Sequence, residues 1–156
     1  MTGGARNGYQ IPIREELDVF DARRTAMEIA MSIGFSRLEA GEVAIVVSEL
    51  ATNILKHGRE GSIAFSVITD PTKGLGIRLV ADDHGPPIET LSTAFIDGNT
   101  SAGPIDPLDL WRRRGIGAGL GAISRLGDQV GYSRLAQGNR FEVLRFARAR
   151  RAQDRN

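Results

Sequence analysis

Glu49 and Asn53 lie four residues apart in a stretch whose apolar spacing predicts a helix over about 38–57. Residues four apart stack on one face of a helix, one turn from each other. A carboxylate placed there can take a proton from a hydroxyl or water nucleophile, and an amide oxygen suits Mg²⁺, which prefers oxygen ligands. A bare Glu-x-x-x-Asn pair is more often a solvated polar stripe, so this pair gains weight only from the motifs that follow it.

A glycine loop precedes an apolar helix predicted over 116–126. Its bare backbone N–H groups and the positive end of the helix dipole would suit anionic phosphates. The spacing matches neither the Walker loop nor the fingerprint of a βαβ unit, and tight helix packing explains the glycines alone about as well. Arg114 could reach a terminal phosphate, with a solvated basic run as the alternative. The residues of this loop are Arg114, Gly115, Ile116, Gly117, Ala118, Gly119 and Leu120.

An acidic turn separates the two features above. Asp83 ends an apolar strand, and Gly85 and Ile88 follow it. A carboxylate fixed there could accept a hydrogen bond from an exocyclic amine such as that of adenine, and Gly85 would let the backbone approach the ring closely. The alternative is an ordinary strand-to-loop aspartate, since Asp and Gly are common turn residues.

Length and composition restrict the class of protein. The 156 residues suit one domain with a full-sized core. Lys and Arg total 20 against 19 Asp and Glu, so charge gives no case for nucleic-acid binding. The absence of Cys excludes disulfides, thiolate metal sites and Cys nucleophiles. No apolar run approaches the length of about 18 residues that a membrane-spanning helix needs, and the sequence has no signal-peptide pattern. We therefore expect a cytoplasmic protein without membrane contacts.

Helices and strands that could position these residues follow from periodicity and turn signals. We predict an unordered tail over 1–8 and a helix that Asp18 caps and that runs to about residue 32, where Gly34 ends it. Ser36 caps the second helix. The other predicted segments are strands over 9–14, 61–69, 75–81, 129–135 and 139–147, a short helix over 88–96, a loop over 98–114 and a basic tail over 149–156. This order predicts a two-layer α/β sandwich, with helices on one face of a mixed, largely antiparallel sheet.

The three motifs, in this order, resemble the N, G1 and G2 boxes of the GHKL (Bergerat-fold) ATPases. Within that superfamily the chain looks most like the small serine/threonine kinases of bacterial partner-switching modules, of the RsbT switch-kinase and anti-sigma factor kinase type. The similarity extends over about 11–146, and its most specific segments are 48–53 and 117–120.

The resemblance implies a single kinase domain over 9–148 that binds ATP and Mg²⁺, with 98–114 as the lid over the phosphates. It implies that Glu49 is the general base, Asn53 the Mg²⁺ ligand and Asp83 the adenine acceptor. Gly85 would lie beside the adenine, and the loop glycines beside the phosphates.

The chain departs from the family pattern at three places. The second glycine of the G1 box is replaced by Pro87, which fixes φ and removes a donor. A late Gly-Thr pair, which helps the aspartate to hold adenine, is matched by Gly138 and Asn139. Because an amide can still form hydrogen bonds, Asn139 is predicted to be a nucleotide-binding residue. The lid is also longer than in compact switch kinases and contains Trp111.

The implied function is phosphorylation of a Ser or Thr on a STAS-domain antagonist or scaffold, in a stress or developmental response that also involves a PP2C-type phosphatase. One alternative is an anti-sigma factor kinase that sequesters a sigma factor, which His57 fits. Another is an ATP-gated binding module with little catalysis, which the departures at Pro87 and Asn139 keep open. The oligomeric state stays open, a homodimer included.

Overall fold

The computed structural model describes residues 6–57, 60–87 and 118–148. These residues form three helices and five strands. Their order is β1 (Arg6–Ile13), α1 (Glu16–Ser32), α2 (Arg37–His57), β2 (Gly61–Asp70), β3 (Gly74–Asp83), α3 (Ala118–Leu126), β4 (Gln129–Leu135) and β5 (Gly138–Phe146). The predicted helix over 88–96, the loop over 98–114 and the tail over 149–156 lie outside the described residues.

The five strands form one sheet in the order β1-β2-β3-β5-β4. Every described pair is antiparallel, so the sheet is antiparallel throughout these strands rather than mixed. Two hairpins, β2–β3 and β4–β5, account for half of the pairings, because a tight turn returns the chain antiparallel to itself. The predicted two-layer α/β fold is confirmed.

The hydrophobic core lies between the sheet and the helices. The apolar stripe of α2, formed by Val43, Val47, Leu50 and Ile54, is buried. α1 packs against α2 and contributes the fully buried small side chains Ala22, Ala26 and Ala30. The largest buried side chains from the sheet include Ile13, Ile63, Phe65, Ile77 and Leu79. No helix in the described part of the chain is long and apolar enough to cross a membrane.

Two predicted element starts were wrong. β1 begins at Arg6, where that residue pairs with Val67, so residues 6–8 of the expected tail belong to a strand that extends along β2. α1 begins at Glu16, and Glu15 occupies the N-cap position instead of Asp18. Asp18 is the third helical residue, and its Oδ2 accepts hydrogen bonds from the N–H groups of Arg14 and Glu15 at 2.8 and 3.0 Å. An acid at this position reaches back to donors ahead of the helix.

The start of α2 confirms its predicted cap. Ser36 Oγ accepts the Glu39 N–H at 3.1 Å, and Glu39 Oε2 accepts the Ser36 N–H at 2.8 Å. This reciprocal pair is a capping box, which satisfies donors that the first turn leaves free. Gly34, with φ of 104°, ends the preceding helix as predicted, because glycine adopts positive φ without steric cost.

Candidate functional site

The last turns of α2 lie over one end of the sheet. Glu49 and Asn53 are both half-buried, on the flank of the buried stripe. A Cβ added at Gly61 would lie 2.7 Å from Ile54 Cγ2 and 3.3 Å from Asp83 Cα. The bare backbone of Gly61 therefore allows the Asn53 turn of α2 to approach the end of β3, where Asp83 lies.

Asp82 and Asp83 point to opposite faces of the sheet, because successive strand residues alternate. Asp82 accepts two hydrogen bonds, both 2.7 Å long, from Nε and Nη2 of Arg140 on the face away from the helices. Asp83 is only 9% exposed. A Cβ added at Gly61 would contact both Asp83 Cα and Ile54 of α2, so Asp83 lies close to this helix. The structure thus places Asp83, the predicted acceptor, on the side of the sheet that carries Glu49 and Asn53.

The Asp83 carboxylate belongs to a buried hydrogen-bond network. Its Oδ1 accepts the Gly85 N–H at 2.8 Å and Asn139 Nδ2 at 3.0 Å. The same Nδ2 donates to the Pro86 carbonyl at 3.0 Å, so the turn that contains the departure at Pro87 is itself tied to Asn139. The Tyr132 hydroxyl hydrogen-bonds to Asn139 Oδ1. The predicted pair of Asp83 and Asn139 is therefore in direct contact.

Gly138 makes this contact sterically feasible. Its φ is 130°, and an added Cβ would lie 1.7 Å from the Asp83 carbonyl oxygen. Only glycine permits such an approach between the start of β5 and the end of β3. The Gly138-Asn139 pair therefore has two separate tasks, since the first residue lets the strands approach and the second supplies the amide.

The far end of α3 is fixed by a buried arginine. Arg145 Nη1 donates to the Leu126 carbonyl and Nη2 donates to Glu42 Oε2, both at 2.6 Å. Through Arg145, these bonds hold the C-terminus of α3 close to Glu42, which lies two turns before Glu49 on α2. α3 packs against α2 and is nine residues long, about 13 Å at the usual helical rise.

The structure brings most of the described site residues to this one end of the domain. They are Glu49, Asn53, Asp83, Gly85 and Asn139. Ala118 and Gly119 begin α3. Leu120 is buried in the core, so any contact of this residue with a ligand would come from its backbone. Five predicted residues lie outside the described residues, namely Ile88, Arg114, Gly115, Ile116 and Gly117.

Two functional candidates, Tyr132 and Arg145, escaped the sequence prediction. The contacts of both residues depend on strand register and on packing between residues far apart in the sequence. Glu42 and Arg145, for example, are 103 positions apart. Tyr132 pairs with Phe141 across β4 and β5, and their ring centroids are 5.1 Å apart. The only sequence signal for either residue was a lone aromatic in β4 and a lone charge in the apolar alternation of β5.

The donor chemistry of the site fits magnesium bound together with phosphates. No group of three or more His, Cys, Asp or Glu side chains that could hold a metal occurs in residues 6–57, 60–87 and 118–148. Mg²⁺ keeps several waters and phosphate oxygens and takes few protein ligands. One amide oxygen such as that of Asn53, half-buried beside the Asp83 end, is a donor of the type that this ion needs.

A concavity lies on the opposite face of the sheet, away from the helices. It has a volume of about 560 Å³, and it is lined by Gln10, Pro12, Arg14, Glu60, Gly61, Ser62, Asp82 and His84. Its carboxylate Asp82 is neutralised by Arg140. This concavity shares an end of the sheet with Asp83 but lies on the other face.

Comparison with known proteins identifies the fold family. The pattern of the histidine kinase-like ATPase domain matches residues 11–145. The chain belongs to this family. All of the predicted site residues fall inside the matched segment, and the family description implies ATP as the nucleotide.

Two individual proteins are similar to the chain. The serine/threonine-protein kinase RsbT of Bacillus subtilis (strain 168) is 27% identical over 139 residues, which covers 88% of this chain and 96% of RsbT. A chain in the crystal structure of the SiaB–SiaC complex from Pseudomonas aeruginosa superposes with a TM-score of 0.61 at 16% identity, covering 90% of this chain and 89% of that one. The expected resemblance to the RsbT type is confirmed, and the second similarity supports the fold.

Proposed function

We propose that this histidine kinase-like ATPase domain is an ATP-dependent protein serine/threonine kinase of a partner-switching module. The observation that carries the proposal is the proximity, at one end of the sheet, of the buried Asp83–Asn139 pair and the Asn53 turn of α2. Similarity to RsbT over nearly the whole length of both chains supports the kinase activity.

Each described group has a task in nucleotide binding. Asp83 accepts a hydrogen bond from the adenine amine, and Gly85 lies beside the ring. The N-terminus of α3 and the glycine loop ahead of it contact the phosphates, because backbone N–H groups and the helix dipole favour anions there. Asn53 supplies an oxygen ligand for Mg²⁺, which when bound neutralises charge on the phosphates.

Glu49 is the proposed general base of the transfer step. The hydroxyl oxygen of the target Ser or Thr forms a bond to the γ-phosphorus, while the bond from that phosphorus to the bridging oxygen breaks and ADP departs. The hydroxyl proton passes to the Glu49 carboxylate. Most of the rate enhancement in phosphoryl transfer comes from positioning and charge stabilisation, which a rigid α2 is suited to provide.

The proposed protein substrate is a STAS-domain antagonist or scaffold, and a PP2C-type phosphatase would reverse the modification. RsbT is named as a serine/threonine kinase, and the fold neighbour comes from a two-protein complex. Both support a kinase that acts within a protein assembly. Release or capture of a partner on phosphorylation would control a stress or developmental response.

The test is transfer of radiolabelled γ-phosphate from ATP to a STAS-domain protein, together with calorimetry of ATP binding. Glu49→Gln is expected to lower transfer by about 10²- to 10⁴-fold while ATP affinity changes little, because a base acts mainly in the transition state. Glu28→Gln, an exposed charge change on α1, is the matched control and should transfer as wild type does.

Two outcomes would contradict the kinase. If the wild type binds ATP but transfers no phosphate to any STAS-domain protein, the chain is an ATP-gated binding module. If the wild type does not bind ATP at all, the assignment of the nucleotide site itself is wrong.

A further inference from the structure

A chain of three buried side chains crosses three neighbouring strands at the Asp83 end of the sheet. Tyr132 comes from β4, Asn139 from β5 and Asp83 from β3, with exposures of 5%, 2% and 9%. The Tyr132 hydroxyl hydrogen-bonds to Asn139 Oδ1, and Asn139 Nδ2 donates to Asp83 Oδ1. Tyr132 thus connects an edge strand to the carboxylate of the proposed adenine site.

The hydrogen bonds of the Asn139 side chain fix the orientation of its amide. Its nitrogen serves two acceptors, Asp83 Oδ1 and the Pro86 carbonyl, both at 3.0 Å. A reversed amide would place an oxygen against a carboxylate oxygen and lose both bonds. An asparagine amide accepts only through its oxygen and donates only through its nitrogen. A hydroxyl donated by Tyr132 to that oxygen therefore holds the amide nitrogen toward Asp83.

This orientation determines which carboxylate oxygen faces a ligand. Asp83 Oδ1 already accepts from Gly85 N–H and Asn139 Nδ2. Oδ2 accepts no hydrogen bond from the described residues, so it is the oxygen that presents an acceptor. An ionised carboxylate can only accept, and adenine offers an amine at its C6 position, whereas hypoxanthine and guanine offer a carbonyl oxygen there.

We propose that Tyr132 is a positioning residue that, through Asn139, fixes the Asp83 carboxylate and so sets the preference of the site for a purine with an amine at C6. This proposal rests on the proposed nucleotide site and adds to it a residue outside the three sequence motifs. Loss of the hydroxyl removes this donor from the Asn139 oxygen, so the amide and, through it, the carboxylate are held less firmly.

The experiment compares ADP with IDP by calorimetry, because the two nucleotides differ only in the C6 region of the base. Tyr132→Phe keeps the ring that packs on Phe141 and removes only the hydroxyl. We expect this variant to bind ADP about 3- to 10-fold more weakly, the usual effect of one net hydrogen bond, and to show a smaller ADP-to-IDP affinity ratio. Tyr9→Phe, at the other tyrosine of the chain and 62% exposed, is the matched control and should keep both affinities.

A double-mutant cycle tests whether the effect runs through Asn139. In an Asn139→Ala background, Tyr132→Phe should change the ADP-to-IDP ratio no further, because the amide that it orients is absent. An equal, additive change in both backgrounds would show that Tyr132 acts by another route, against the proposal.

The remaining outcomes separate this inference from the proposed function. If wild type binds ADP and transfers phosphate, but Tyr132→Phe leaves the ratio unchanged or weakens ADP and IDP equally, Tyr132 has only a packing role and this inference alone fails. If wild type binds neither nucleotide, the proposed function fails, and the inference fails with it.

Discussion

At one end of the sheet Asp83, Asn139 and Tyr132 form a hydrogen-bonded chain, whereas at the other end Glu39, Glu42 and Arg145 form an ionic cluster. We call the first the nucleotide end and the second the clamp end. At the clamp end, the chain itself occupies both carboxylate oxygens of Glu39. Both Glu39 oxygens accept backbone N–H groups, from Ser36 and Arg148.

The nucleotide end differs because one of its carboxylate oxygens accepts no hydrogen bond within the described part of the chain. Asp83 Oδ2 accepts no hydrogen bond from any described residue, while Oδ1 accepts two. A ligand donor at this oxygen would complete the hydrogen bonding of the carboxylate. The comparison teaches that a carboxylate at the clamp end uses both oxygens to hold the chain, whereas the carboxylate of the proposed nucleotide site keeps one oxygen for a ligand.

The largest expected effect is at the clamp end. Arg145 is 4% exposed and joins α2, α3 and β5. Arg145→Met should lower the free energy of unfolding by about 3–5 kcal/mol, because it leaves the Glu42 carboxylate and the Leu126 carbonyl without their donor. Urea denaturation measures this change, and ADP affinity of the folded variant should change far less.

The matched control for the clamp is on the open face of the sheet. Arg78 pairs with Glu142 at 2.7 Å, but its side chain is 39% exposed. Arg78→Met should therefore cost only about 0–1 kcal/mol. Equal losses of stability for the two methionine variants would contradict the view that the clamp end is the structural one.

The next effect is at the nucleotide end and should affect both stability and binding. Gly138→Ala places a Cβ 1.7 Å from the Asp83 carbonyl oxygen at a φ of 130°. We expect a loss of about 2–4 kcal/mol in unfolding free energy and weaker ADP binding by about tenfold or more, since the strand ends must separate. Gly131→Ala on β4 has open space at its Cβ and should change neither quantity appreciably. If Gly138→Ala leaves ADP affinity unchanged, the nucleotide site does not depend on the contact between the ends of β3 and β5.

The smallest effect is a pH dependence of the clamp end. Burial disfavours the charged form of Glu39, but the hydrogen bonds from Ser36 and Arg148 and the nearby Arg145 charge together hold the pKa of this carboxyl below its usual value. A depressed carboxyl pKa means that the unfolded chain binds more protons, so stability rises with pH across this range. The contribution is complete above the unfolded value of about 4.3 and is lost as pH falls through the lower folded-state pKa.

Glu39→Gln tests this dependence. The stability gap between wild type and the variant, measured by urea denaturation, should be largest near neutral pH and should shrink below about pH 4.3. Glu28→Gln, exposed on α1, should show no such trend. A gap that stays constant with pH would show that the Glu39 charge does not stabilise the clamp.

The sequence predicted the features that depend on local periodicity. The α2 helix, its Ser36 cap and strands β2 and β3 were predicted from patterns within about 20 residues, and the observed bounds differ from the predicted ones by at most two residues. Asp18 was wrongly predicted to be the N-cap, because acidic residues are common both at the N-cap and at the third helical position.

Long-range register could not be predicted in the same way. The contact between Asp83 and Asn139 joins residues 56 positions apart, and it was expected only from a family resemblance. Strand order had no local signal, and the inward direction of Tyr132 and Arg145 had only a lone aromatic in β4 and a lone charge in the alternation of β5 as signals. These residues therefore became candidates only once β5 was seen to lie between β3 and β4.

The most direct measurement of the central claim is the calorimetric affinity of wild type and Asp83→Asn for ADP and IDP. In the variant, an amide whose oxygen still accepts from Gly85 and Asn139 would present its NH₂ group to the base. The account predicts that wild type prefers ADP and that the variant loses or reverses this preference. If Asp83→Asn binds ADP as tightly and as selectively as wild type, the nucleotide end does not recognise the base and the account is wrong.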